Sequence, residues 1–340
     1  NMSLSLEGIG AQLSQEGDYT TIVEVIAGGP AFKSGEIQKQ DRIVGVAQDL
    51  DGEYLDVIGW RTDEVVQYIR GPKGTTVRLK ILKAEDGASA MPTEVILVRD
   101  KIKLEEQSAS SEIIPVHKDG KDFKMGVINL PSFYIDFEAA RNGDPNYKST
   151  TRDVRKLLED FNEQEVDGVL IDLRRNGGGS LQEAIELTGL FIKDGPVVQV
   201  KNSLGKVDMG EDEDKEVVWD GPLTVLINRY SASASEIFAG AIQDYMRGVV
   251  VGEQTYGKGT VQNLIPLDRY MPNEDAKLGE LKITIAKYYR VTGQSTQHKG
   301  VVPDVSMPSA YDPELFGESS IPSALPWDEI ASANFDKTYD

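Results

Sequence analysis

Residues 168–184 read GVLIDLRRNGGGSLQEA. The apolar run Gly168 to Leu173 has the composition of a strand, and apolar residues at helical spacing predict a helix from near Leu181 to Phe191. Between them, Asn176-Gly177-Gly178-Gly179 puts three glycines at a helix N-terminus, where backbone N–H groups stand with no side chain in the way and can bind an anion. In acyl transfer that anion is the oxyanion of a tetrahedral intermediate, although a simple turn fits the same letters. Outward from this stretch the alternation continues. Strands are expected at Met125 to Leu130 and Leu223 to Asn228, with helices near Thr151 to Gln164 and from Ala234, a rhythm that predicts a layered α/β domain with its strands in the centre.

The first hundred residues differ. Short β-branched runs at Thr20 to Ile26, Asp41 to Val46, Thr76 to Leu82 and Thr93 to Val98 lie between glycine-rich breaks, and one helix is expected at Thr62 to Arg70, with Thr62 as N-cap and Gly71-Pro72 as its stop. A small β barrel with one or two helices fits. Lys103 to Lys121 is polar and charged, with Ser108, Ser110 and Ser111 clustered, and is expected to connect two domains, 1–103 and 104–340. The acidic run Glu211 to Asp214 is expected to be a solvated loop. The tail after Pro308, with weak periodicity, is expected to pack against sequence outside this chain.

A length of 340 residues suits about two domains at roughly one per 150 residues, and 39% hydrophobic content is enough for their cores. With 56 acidic and 36 basic residues the net charge is −20, which repels phosphate backbones, so nucleic acid is not expected as a partner. The lack of cysteine removes thiol nucleophiles, disulfides and thiolate metal sites. The two histidines, His117 and His298, form no HExxH pair. No apolar run reaches the ~18 residues of a membrane span, and Asn1 to Ser5 lacks the features of a signal peptide. The chain is therefore expected to be cytosolic, or a mature or excised piece of a longer protein.

Two further segments can carry chemistry. Ser231-Ala232-Ser233-Ala234-Ser235-Glu236 joins an expected strand to an expected helix, so a serine there faces the positive end of the helix dipole, as a nucleophile generating an oxyanion would. Ser233 with Glu236 also spells a capping box, S-x-x-E, which needs no catalysis. Gly252 to Gly259 matches the phosphate-binding pattern GxxxxGK through Lys258, but Gly259 replaces the required Ser or Thr and the sequence beyond it looks extended. Lys258 is an ordinary surface lysine if exposed. If buried, its pKa falls and the neutral amine can take a proton from a serine, with Gln262 orienting it through an uncharged hydrogen bond.

Three strings in this order, LIDLRRNGGGSLQEA, SASASEIFAGAIQDY and VVGEQTYGKGTVQ, resemble the tail-specific or C-terminal processing proteases, serine peptidases with a Ser–Lys dyad. At the front, Gly8-Ile9-Gly10-Ala11 followed by VIAGGPAFKSGEIQKQDRIVGV is similar to a PDZ domain, whose first loop offers backbone amides to a terminal carboxylate. The resemblance runs from about Leu4 to Pro308 and is most marked to the longer periplasmic enzymes of Gram-negative bacteria. It implies a mixed α/β protein, a PDZ-type small barrel followed by a layered α/β protease core of the ClpP/crotonase-like kind. It further implies Ser233 as nucleophile, Lys258 as general base, Gln262 as its orienter, and the N–H groups of Gly179 and Ala234 as oxyanion donors, with Gly8, Ile9, Gly10 and Ala11 receiving the peptide. Ser231 and Ser235 flank the nucleophile, and only the family register selects Ser233.

The expected reaction is cleavage of the apolar C-terminal tails of unstructured proteins. It requires no metal or cofactor, takes place in the periplasm, and can involve a lipoprotein adaptor. Helical regions that flank the core in the longer relatives have no counterpart here, so the chain is expected to be an excised fragment. The rival readings are an inactive peptide-binding adaptor that retains the fold and a nucleotide hydrolase using the Lys258 loop.

Overall fold

In residues 76–82 of this computed structural model, Val77, Leu79 and Ile81 are buried while Arg78 and Lys80 are partly exposed. That period of two is what a strand shows when one face covers a core. The structure describes residues 5–26, 28–86, 90–103, 108–267, 270, 279–309, 312 and 315–336. They fall into two units, Ser3–Glu106 and Gln107–Asp340.

The first unit comprises β1 (Ser5–Gly8), β2 (Ala11–Glu16), β3 (Tyr19–Val25), α1 (Pro30–Ser34), β4 (Arg42–Gln48), β5 (Leu55–Asp56), α2 (Thr62–Ile69), β6 (Thr76–Leu82), β7 (Thr93–Val98) and β8 (Asp100–Lys103). The main antiparallel sheet runs β2-β3-β4-β6-β7, while β1 pairs with β8. Helix α2 buries Val65 and Ile69, one turn apart on the same face, against Ile22, Ile43, Val46 and Leu79. Its N-cap is Arg61, not the expected Thr62. Gln15 Oε1 on β2 accepts both the Thr62 N–H at 3.0 Å and the Thr62 hydroxyl at 2.9 Å, so a neighbouring strand supplies the cap acceptor.

The second unit contains β9 (Ser110–Lys118), β10 (Lys121–Asn129), α3 (Phe137–Arg141), α4 (Thr150–Glu163), β11 (Gly168–Asp172), α5 (Leu181–Gly189), β12 (Pro196–Asn202), β13 (Val207–Glu211), β14 (Leu223–Ile227), α6 (Ala234–Asp244), β15 (Val249–Gly252), β16 (Thr260–Pro266), β17 (Glu280–Tyr289) and β18 (Val305–Ser306). One sheet has the order β18-β15-β14-β11-β10-β9, parallel except for β9, and a second, antiparallel sheet runs β13-β12-β17-β16. Helix α6 is buried from Ala234 to Ile242 because it packs on α5 and on strands of both sheets, β12 and β15. Since β11, β14 and β15 are parallel neighbours, the loops 173–180, 228–233 and 253–259 all leave the same edge, where ligands of such sheets bind.

Two expectations fail here. Lys103 to Lys121 is not all connection, because Ser110–Lys118 forms the edge strand β9. Almost every residue of β9 is exposed, so no apolar alternation marks it. The tail after Pro308 packs on its own chain, with Arg229 donating to the Phe316 carbonyl and the Trp327 indole N–H donating to the Ser295 carbonyl at 2.9 Å. The acidic run is also partly tied down, since Arg155 pairs with Asp214 at 2.6 Å. No helix among the described residues is long and apolar enough to cross a membrane.

Candidate active site

The three serines between β14 and α6 have different environments. Ser231 and Ser235 are fully buried and their hydroxyls donate to the carbonyls of Leu173 (2.8 Å) and Asn176 (2.9 Å). Ser233 is partly exposed, and its hydroxyl donates to no acceptor among the described residues. Its backbone is strained, with φ 60° and ψ −115°, a conformation that costs a non-glycine residue about 1–3 kcal/mol and holds the side chain out at the head of α6. The S-x-x-E box is present, with the Ser233 N–H donating to Glu236 Oε2 at 2.8 Å.

Glu236 is the hub of the site, a role its spacing in the sequence showed only in part. Fully buried, its carboxylate takes four donors: the N–H groups of Ser233 (2.8 Å) and Lys258 (3.0 Å) on Oε2, and the Thr255 hydroxyl (2.6 Å) and Gly257 N–H (2.7 Å) on Oε1. Burial pushes its pKa up to about 7, and the four donors pull against that rise. The buried Tyr288 hydroxyl adds a second staple, reaching the carbonyls of both Lys258 and Ser233. Nothing in the sequence signalled Tyr288. Two segments far apart in the chain are thus bound, backbone to backbone, through one carboxylate and one phenol.

Lys258 is half-buried, and its pKa lies below the ordinary lysine value. Burial is the main cause and repulsion by Lys282 the next, opposed by Glu318 and Glu236. A depressed pKa leaves more of the amine neutral and able to accept a proton. Gln262 sits in β16 beside a bulge, is exposed, and makes no hydrogen bond to Lys258.

The glycine loop faces the serine turn. Asn176 fixes both, since its side chain donates to the Leu130 carbonyl and accepts the Gly178 N–H, while its own carbonyl accepts the Ala232 N–H at 3.0 Å. At Gly178 a Cβ would stand 2.8 Å from Ser233 Cβ and 2.9 Å from the Ala234 nitrogen, so only glycine permits this approach. At Gly179, φ is 151° and a Cβ would lie 2.0 Å from the Phe133 carbonyl oxygen. The N–H groups of Gly179 and Ala234 have no acceptor among the described residues, as an anion site requires. A cavity of about 740 Å³ on the same sheet edge is lined by Asp172, Arg174 and Asn228, among others, but by neither Ser233 nor Lys258.

In the first unit, Gly8 ends β1 and Ala11 begins β2. Ile9 is buried in the core and its carbonyl accepts the Ala31 N–H at 2.8 Å, while the N–H groups of Ile9 and Gly10 have no acceptor among the described residues. Strand β2 is an edge strand, with backbone groups along one side left for another chain.

A model of peptidase family S41 matches residues 124–307, and one of the PDZ domain matches residues 1–82. The tail-specific protease of Haemophilus influenzae is 44% identical over 335 residues, covering 98% of this chain and 45% of that protein. A carboxyl-terminal-processing protease of Synechocystis is 32% identical over 301 residues, covering 88% of this chain and 62% of that protein. The chain thus spans about half the length of the curated relatives it matches. The solved photosystem II D1 C-terminal processing protease shares the fold, with a TM-score of 0.50 and 24% identity over 91% of this chain and 73% of that one.

Proposed function

Because the chain belongs to peptidase family S41, we propose that it is a serine endopeptidase acting through Ser233 and Lys258. The neutral Lys258 amine takes the proton of the Ser233 hydroxyl as its oxygen attacks the scissile carbonyl, and the N–H groups of Gly179 and Ala234 receive the oxyanion. The ammonium then protonates the leaving amine. Water, deprotonated by the same lysine, releases the acyl group from the serine.

The observation that carries this reading is the single oxygen, Glu236 Oε2, that accepts N–H groups from both Ser233 and Lys258. A surface lysine and a helix-capping serine have no need of a shared, buried carboxylate. Gln262 is the proposed neutral orienter, and from its exposed place on β16 its amide must turn toward Lys258 when peptide binds.

The substrates we propose are the apolar C-terminal tails of unstructured proteins. The backbone of Gly8, Ile9, Gly10 and Ala11 takes the terminal carboxylate, and the tail adds to the edge of β2 as a further strand. In this scheme residues 1–103 form the PDZ domain and 104–340 the protease core. Capture by one domain raises the concentration of tail available to the other, which compensates for the weak binding of unfolded peptide. A periplasmic location and a lipoprotein adaptor belong to the same proposal, supported by the motif resemblance alone.

The test is cleavage of an apolar-tailed unstructured protein by the parent chain and by Ser233→Ala and Lys258→Ala. Both substitutions are expected to reduce cleavage to background while leaving tail binding intact. Undiminished turnover in either would refute the dyad, and tail binding without cleavage by the parent would favour the adaptor reading.

A further inference from the structure

The family match ends at residue 307, yet the chain beyond it closes over the loop that bears Lys258. The buried Arg229 guanidinium donates to the carbonyls of Thr255 (2.8 Å) and Phe316, binding the tail to the loop. The Phe316 ring meets Tyr256 edge-on at 6.0 Å, and the Glu318 N–H donates to the Tyr256 carbonyl at 3.0 Å. On the other side of the lysine, the fully buried Gln297 accepts the Gly259 N–H at 2.8 Å through Oε1, and its Nε2 reaches Glu318 Oε1 at 3.4 Å. Glu318 is therefore attached to the loop both before and after Lys258.

Four groups surround this lysine from the elements packed on it. Lys282 on β17 repels its charge, while Glu236 on α6 and Glu318 on the tail attract it. Tyr288 on β17 donates its hydroxyl to the Lys258 carbonyl. Both Glu236 oxygens are occupied by the four donors that shape the site. Glu318 has one long hydrogen bond from Gln297, and among the described residues it makes no ion pair with Lys258. Its charge thus acts at a distance. A carboxylate in direct contact would hold the lysine protonated and useless as a base, whereas one set back stabilises an ammonium without fixing it.

We propose that Glu318 is a positioning residue of the reaction, a carboxylate carried by the tail that stabilises the Lys258 ammonium formed when Ser233 gives up its proton. This rests on the dyad reading above. In the step it assists, the hydroxyl proton moves from Ser233 Oγ to Lys258 Nζ as the Oγ–carbon bond forms and the carbonyl π pair becomes the oxyanion. The proton then passes from Nζ to the leaving nitrogen as the C–N bond breaks. Glu318 is neither protonated nor consumed.

The test measures the amine directly, by competitive labelling of Lys258 with acetic anhydride across pH, read by peptide mass spectrometry. In Glu318→Gln, which keeps the acceptor for Gln297, the titration midpoint of Lys258 is expected to fall by about half a pH unit or more. In Lys282→Gln it is expected to rise. Cleavage by Glu318→Gln should show its acid limb displaced to lower pH and kcat reduced several-fold, with KM little changed. If Glu318→Gln does not fold, Glu318→Asp, which withdraws the charge by one methylene, should give a smaller fall. An unmoved or raised midpoint in a folded Glu318 variant overturns the proposal. Failure of the dyad reading looks different: the midpoints move as expected, but the parent chain cleaves nothing.

Discussion

Glu236 Oε2 holds the backbones of Ser233 and Lys258 together, and in the proposed reaction it sets the geometry without taking part. Glu236→Gln keeps the shape but replaces one acceptor oxygen with an NH₂ group facing two donors. The loss of such buried bonds costs about 1–3 kcal/mol. Glu236→Gln is expected to lower the unfolding free energy by that order and kcat by at least tenfold, as measured by denaturant titration and by tail cleavage. For Lys258 the sign of the pH dependence follows from its role. With the neutral amine as the proposed active form, kcat/KM should rise with pH through the lysine pKa and level off above it. Because burial depresses that pKa, the midpoint of the rise should lie below the ~10.4 of a free lysine. A midpoint at or above that value would mean that Lys258 is not the base. Ser233 was named in the sequence by family register alone, since Ser231 and Ser235 carry the same side chain two positions away. In three dimensions they differ, for the flanking hydroxyls are buried in bonds to Leu173 and Asn176.

The strand, glycine turn and helix of residues 168–184 were legible because β-branched runs, glycine clusters and helical spacing each have a local cause. Edge strand β9 was not, because a strand solvated on both faces lacks the alternation that identifies it. The tail was misread for a related reason: its hydrogen bonds with Arg229 and Tyr256 run through backbone carbonyls, which leave no residue-specific signal. The glycine loop gives the sharpest prediction at this scale. A methyl group at Gly179 would overlap the Phe133 carbonyl oxygen, so Gly179→Ala must move the backbone that presents its N–H. Losing one oxyanion donor costs about 10²–10³-fold in kcat. A loss of that order is expected in cleavage assays, with tail binding by the first unit unchanged.

Across the whole molecule, one unit offers a strand edge and loop amides with no acceptor among the described residues, and the other offers a strained serine and a depressed-pKa lysine. If the free carboxylate is what the loop of Gly8 to Ala11 reads, a substrate with an amidated C-terminus should show KM raised about tenfold or more, because charge-assisted bonds to the anion are lost. Equal KM for the acid and the amide would remove the loop from the account. The central claim is that Ser233 and Lys258 act as one unit, and the most direct measurement is the site of covalent capture by a serine-reactive phosphonate, read by peptide mass spectrometry in the parent chain and in Lys258→Ala. A single adduct on Ser233, lost when the lysine is removed, is the predicted result. An adduct on Ser231 or Ser235, or undiminished labelling of Ser233 without Lys258, would contradict it.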